Sequence, residues 1–324
     1  MVWLPSRDLL IGLASLALFV GAVVALACRP VDGGAVVVGN PLPKGFKKLT
    51  KYTLPWYAKR FPLFHLSAEG GRAAREFYFG GGNLRWRELV IRSETNSVTA
   101  VEFHVDGATA GDAAPIAMLH HPSMRIEGMS GRLAHALHRA GFRVLAVPPS
   151  GVTGGYMVDH ARWYLGVVAA VRRSNTKPPM VLIGASGGAE LLAIALLQRD
   201  KVLGVDAVAL LGCPWQRMKS KGGSAVATTE MDVTRIPTLI VNALDDPVYS
   251  VIDEGEGPAT ADPRGWRKDC AADLEQLKDA PGVVLAYAES GSHCAFHEAW
   301  TVPGASSWAE KLVVAFARDK ARLV

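Results

Sequence analysis

The sequence predicts an α/β fold: a mostly parallel central sheet with helices on both faces. Three observations carry this. From about residue 115, short apolar runs alternate with stretches of helical period. That is the rhythm of strands buried on both faces and joined by crossover helices. Before that point, residues 76–105 read as hairpin strands, so the sheet is expected to be mixed. Apolar residues make up 49% of the 324 and charged residues only 20%, enough for a large core and unlike a disordered chain.

The first element is an apolar segment. Leu9 to Cys28 reads LLIGLASLALFVGAVVALAC, twenty residues without a charge. A helix of that length reaches roughly 30 Å, the thickness of a bilayer core. It lacks the polar stripe of a helix lying on a soluble domain. The reading adopted for residues 1–28 is an uncleaved N-terminal transmembrane helix, a single-pass anchor. A cleaved signal peptide is the second reading, but the run is long and the Cys28-Arg29-Pro30 flank lacks a small-x-small site. A lipoprotein signal ending at Cys28 is the third, and Ala25-Leu26-Ala27 is a poor version of its pattern.

Residues 29–75 read as a basic linker or surface-hugging arm, rich in Gly, Pro and Lys. Within residues 29–60, Arg29, Lys44, Lys47, Lys48, Lys51, Lys59 and Arg60 face Asp32 alone. By the positive-inside rule this favours a cytoplasmic position for the domain that follows. The same charges suit anionic lipid head groups. Trp56, Tyr57, Phe61 and Phe64 fit either a membrane interface or a core. The formal charge of +5 is concentrated here, and the nearly neutral remainder argues against nucleic acid as a partner.

Residues 76–324 are expected to form one catalytic domain. Phe77–Phe79, Leu84–Arg92 and Val98–Val105 are candidate strands, with turn signals at 80–83 and 94–96. Then come strand Pro115–Leu119, helix Gly131–Ala140, strand Phe142–Val147, helix Val158–Arg173, strand Pro179–Ile183 and helix Gly188–Arg199. Strands Val205–Leu211, Pro237–Val241 and Val283–Tyr287 follow, and a closing helix near Trp308–Ala321. Only about twenty residues separate Cys213 from Arg235, so any lid there is small. The arm 44–75 or the insert 251–275 are the other segments available to cap a pocket.

One turn carries chemistry. Strand Met180–Ile183 runs into Gly184-Ala185-Ser186-Gly187-Gly188, and a helix follows at once. In G-x-S-x-G the serine sits on a sharp, strained turn, and small neighbours let strand and helix crowd around it. The helix N-terminus favours developing negative charge. A serine hydroxyl needs a base to become a nucleophile. Strand 238–241 ends in Asn242-Ala243-Leu244-Asp245-Asp246-Pro247, which supplies an acid, with Asp246 preferred over Asp245. Strand 283–287 leads to Ser290-Gly291-Ser292-His293, which supplies the base, with His293 preferred over His297.

The order Ser186, Asp246, His293, with these loops at strand ends, resembles the α/β-hydrolase superfamily over about residues 85–324. The Asp-Asp-Pro loop is also similar to that of the membrane-anchored YheT-like and α/β-hydrolase-domain group. The resemblance implies an ester-cleaving serine hydrolase, with acyl transfer, thioester cleavage or an inactive tethered scaffold as alternatives. It implies a small-molecule ester as substrate and no cofactor; the apolar segment alone makes a lipid ester the expected kind. It also implies an oxyanion hole of two backbone donors: Gly187, and one from the loop after strand 115–119. That loop reads His120-His121-Pro122-Ser123-Met124 and departs from the family's His-Gly-x. Pro122 has no N–H, so Ser123 is the candidate donor, with Met124 in reserve.

Cys28, Cys213, Cys270 and Cys294 fit no zinc or redox spacing, and a packed thiol is the reading for Cys294 beside His293. His135 and His138, three apart on a helix, are read as ordinary helix histidines rather than metal ligands.

Overall fold

The computed structural model describes residues 15–22, 29–39, 41–55, 84–92, 97–105, 111–120, 129–147, 157–197, 204–213, 236–246, 274–275, 277–291, 293–294, 296 and 307–323. The central sheet has nine strands: β2 (Ala35–Val38), β4 (Leu84–Arg92), β5 (Ser97–Val105), β6 (Ile116–His120), β7 (Arg143–Val147), β8 (Met180–Ala185), β9 (Ala207–Leu211), β10 (Thr238–Ala243) and β11 (Val283–Ala288). Their spatial order is β2-β11-β10-β9-β8-β6-β7-β5-β4. The six strands from β7 to β11 are mutually parallel. β4 and β5 form the expected antiparallel hairpin at one edge, and β5 pairs antiparallel with β7.

The parallel strands are apolar throughout because both of their faces are covered. Successive side chains point to opposite faces. Met180 and Leu182 therefore join Ile116, Met118, Leu145 and Val147 on one side of the sheet. Val181 and Ile183 join Ala117, Leu119, Val144 and Ala146 on the other. Helices α2 (Met157–Ser174) and α3 (Gly187–Leu197) cover the first side. Helices α1 (Met129–Arg139) and α4 (Trp308–Lys320) cover the second. A capping box starts α4: Ser307 Oγ accepts the Glu310 N–H at 3.3 Å, and Glu310 Oε2 accepts the Ser307 N–H at 2.7 Å. Glu310 Oε1 also meets Arg132 Nε at 3.2 Å, pinning α4 to α1.

The connections decide where a site can form. β6 runs through α1 to β7 on one side, and β7 returns through α2 past β6 to β8. The sheet order therefore reverses between β6 and β8. Ligands of open α/β sheets bind at the carboxyl ends of strands at such a point.

Residues 29–55, expected within the linker or arm 29–75, are built into the domain. β1 (Pro30–Asp32) pairs antiparallel with β3 (Thr53–Pro55), and β2 adds an antiparallel edge strand to β11. Phe46, Tyr52 and Leu54 are fully or almost fully buried in the core under α4. The stretch reads as linker because its core residues are single and spaced among Gly, Pro and Lys, leaving no helical or alternating period.

In the apolar segment, residues 15–22 are helical, with Leu16, Leu18, Phe19 and Val20 exposed. Among the described residues no helix is long and apolar enough to cross a membrane. The rest of the proposed anchor, residues 56–75 of the arm, strand Phe77–Phe79, the loop with Ser123, the lid region 214–235 and most of the insert 251–275 lie outside the described residues.

Candidate active site

The Ser186 turn is tight for a steric reason. Ser186 has φ +56°, a left-handed conformation that costs a residue with a Cβ roughly 1–2 kcal/mol. Its N–H donates to Leu211 O on β9 at 2.8 Å. A Cβ on Gly184 would lie 2.5 Å from Gly188 O, and a Cβ on Gly188 would lie 2.2 Å from His120 O. Only glycine at both positions lets β8, α3 and β6 approach this closely. The Ser186 carbonyl accepts the N–H groups of Ala189 and Glu190 at 2.9 and 3.2 Å, which starts α3. Gly187 is the first residue of α3, and first-turn N–H groups have no partner within their own helix.

His293 stands over the serine. Its Nε2 is 2.7 Å from Ser186 Oγ, and its Nδ1 is 2.8 Å from Asp246 Oδ2. A carboxylate only accepts, so Nδ1 carries the proton, and Nε2 accepts from the Ser186 hydroxyl. Asp246 is 2% exposed and Asp245 1%, yet the two neighbours do different things. Asp246 faces the imidazole. Asp245 Oδ1 accepts the Gly291 N–H at 2.8 Å and so fastens the start of the histidine loop to the end of β10. Leu244 N–H donates to Ala288 O at 2.9 Å and ties the same two strand ends.

The histidine loop is held from behind. Cys294 and Phe296 both have positive φ, +58° and +42°. Cys294 Sγ donates to Leu211 O at 3.4 Å, the same carbonyl that takes the Ser186 N–H. Burial pushes the Cys294 thiol well above its ordinary value, and the Asp246 carboxylate adds to this. Phe296 packs in an aromatic cluster with Tyr52 and Trp308. The Tyr52 and Trp308 rings stack at 5.1 Å, and Phe296 lies 5.7 Å from Trp308 and 6.3 Å from Tyr52. Trp308 Nε1 donates to Leu49 O at 2.7 Å. The N-terminal segment is thus part of the support for His293. Glu289 N–H and Ser290 N–H donate to Gly34 O and Gly33 O at 3.3 and 3.4 Å, reinforcing it.

The structure brings Ser186, Asp246 and His293 together, and places Gly187 directly after the serine turn. Ser123 and Met124 lie outside the described residues. His120, at the end of β6, is buried; its Nδ1 donates to Val147 O at 3.2 Å and its ring lies 4.8 Å from Tyr164. On α1, His135 is held below the ordinary imidazole value by partial burial, then by Arg139 and His138. No group of three potential metal ligands occurs among the described residues. The Leu211 carbonyl and the Tyr52 support were not read from the sequence. A backbone acceptor leaves no residue signature, and Tyr52 is 241 positions from His293.

The sheet order, the strained serine after β8, the acid after β10 and the histidine after β11 define the α/β-hydrolase fold. No family model matches the chain, and no curated protein matches it. Among solved structures, an esterase of the fungus Rhizomucor miehei is similar at 12% identity and TM-score 0.54, over 88% of this chain and 99% of its own. Brefeldin A esterase, described as a bacterial homologue of human hormone-sensitive lipase, is similar at 16% identity and TM-score 0.52, over 88% of this chain and 89% of its own. Likeness at these identities establishes the shared fold. Neither is described as a member of the YheT-like anchored group.

Proposed function

We propose that this chain is a serine hydrolase that cleaves a carboxylic ester through an acyl-enzyme. The observation that carries the reading is the unbroken hydrogen-bond chain Ser186–His293–Asp246, with links of 2.7 and 2.8 Å. Ser186 Oγ attacks the ester carbonyl while His293 Nε2 takes its proton. Asp246 holds the ring in this tautomer and stabilises the imidazolium. Charge on the carbonyl oxygen is met by Gly187 N–H and, from the loop after β6, by Ser123 N–H. His293 then protonates the leaving alcohol, deprotonates a water for attack on the acyl group, and returns the proton to Ser186.

The fold neighbours with esterase descriptions fit this chemistry. The proposed substrate is an ester with an apolar or lipid acyl group. Its support is the uncharged stretch Leu9–Cys28, whose described part exposes Leu16, Leu18, Phe19 and Val20. That stretch is the proposed single-pass anchor, with the basic residues after it on the cytoplasmic side.

The test is covalent labelling. Detergent-solubilised protein should react with a fluorophosphonate at Ser186, and Ser186→Ala should lose both the label and esterase activity. Full activity in Ser186→Ala would overturn the reading. A folded wild type that never labels would favour an inactive scaffold.

A further inference from the structure

Two segments about 270 positions apart meet on the α4 side of the sheet. The first is the chain from Lys44 to Lys51, pinned by the fully buried Phe46 and by the Trp308 Nε1–Leu49 O bond. It exposes Lys44, Lys47, Lys48 and Lys51. The second is the end of α4, which exposes Arg318 and Arg322. Lys44 N–H donates to Asp319 Oδ1 at 3.2 Å and joins the two. Between them lies a cavity of about 560 Å³ whose lining includes Lys44, Arg318, Arg322, Asp319 and Leu323.

The charge there is predominantly positive: the exposed cations face Asp319 in the cavity and Asp32, which pairs in register with Thr53 near Lys51. Asp319, the acid in the lining, also holds Lys320 Nζ at 3.1 Å. Its carboxyl lies below the usual range: burial opposes the shift, and the Lys44 backbone bond and then Lys320 outweigh it. The carbonyls of Ala317 and Arg318 at this helix end are taken by the N–H groups of Ala321 and Leu323. Complementing the helix dipole accounts for cations on α4, but not for four lysines on a separate segment.

We propose that this face docks on an anionic bilayer, with the cavity between Lys44, Arg318 and Arg322 taking a phosphate-bearing lipid head group. Charge complementarity and tether length select this partner. Cys28 stands two residues before β1, and Lys51 two residues before its partner strand β3. Chain length alone keeps the apolar segment within roughly 25 Å of Lys51. Lysines and arginines this close to an anionic surface are each attracted to it, and salt screens the attraction. The inference rests on the membrane reading above, and its test separates the two.

The full chain is reconstituted into vesicles of neutral phosphatidylcholine, or of phosphatidylcholine with phosphatidylglycerol, and its lysines are acetylated and mapped by mass. Labelling of Lys44, Lys47, Lys48 and Lys51 should slow about fivefold in the anionic vesicles and recover in high salt. The exposed Lys278, beside Leu277 and Ala280 on the opposite side of the sheet, should not change. Arg318→Glu with Arg322→Glu should bring Lys44 back to within about twofold of its rate in neutral vesicles. Equal labelling of the four lysines in both vesicles would overturn the proposal, as would equal protection by RNA. Release of the chain from neutral vesicles by alkaline carbonate would remove the anchor, yet salt-sensitive protection by added anionic vesicles would still support the docking face.

Discussion

Asp245 and Asp246 are chemically identical, adjacent and equally buried, and the structure gives them separate work. In the proposed mechanism Asp246→Asn removes the charge that orients the His293 ring and stabilises the imidazolium, so kcat should fall on the order of 10⁴-fold with the thermal midpoint little changed. Asp245→Asn keeps an oxygen to accept the Gly291 N–H, so it should lower kcat far less. Asp245→Ala leaves that buried N–H unpaired and should cost about 1–3 kcal/mol of stability. Steady-state rates and melting curves on the three variants check the division. Equal rate losses for Asp246→Asn and Asp245→Asn would refute it. Cys294 gives a second residue-scale expectation. Its raised pKa keeps it a thiol at neutral pH, and alkylation needs the thiolate. Iodoacetamide should therefore modify native Cys294 more than about tenfold slower than the unfolded chain, as counted by peptide mass. Rapid native modification would mean that the loop behind His293 opens.

At the scale of elements, the aromatic cluster links the residue before β3, the start of α4 and the histidine loop. Tyr52→Ala removes a buried ring stacked on Trp308 and should destabilise by about 3–5 kcal/mol. Where the fold survives at low temperature, kcat should fall more than KM changes, and the downfield Nδ1 proton resonance of His293 should weaken. Tyr52→Phe keeps the ring and should preserve both. Unchanged kcat in a folded Tyr52→Ala protein would confine Tyr52 to stability. Tyr52 also marks where sequence reading stops. β4 begins and ends where Leu84–Arg92 was expected, and β6 to β11 fall within a few residues of their expected bounds, because runs such as Met180–Ile183 have a pattern of their own. Gly184 and Gly188 are legible for the same reason: a tight turn imposes small residues at fixed spacing. By contrast, β2 is only Ala35–Val38, and what makes it a strand is the edge of β11, some 250 positions away. Support for His293 from Tyr52, Trp308 and Leu211 O is likewise long-range and leaves no local period.

For the whole molecule, the question is where the folded unit begins. The sequence suggests a boundary near residue 76, whereas the described residues between 29 and 55 pack as part of the same body. Residues 29–55 cover the edge of β11 and bury Phe46, Tyr52 and Leu54 against α4. Each such side chain contributes about 1.5–3 kcal/mol when buried. Losing all three removes an amount comparable to the ~5–15 kcal/mol that holds a whole domain together. It also bares the β11 edge, leaving an unpaired strand open to association with other chains. A chain starting at Arg29 should therefore remain folded and react with a fluorophosphonate at Ser186, while losing stable attachment to neutral vesicles. One starting at Trp56 should be recovered as aggregate, or as a species without a cooperative melt or label. Circular dichroism melts, gel filtration and labelling of both truncations decide this. A cooperative, fully labelled protein starting at residue 56 would show that the N-terminal strands are an appendage, and would detach His293 from the support assigned to it.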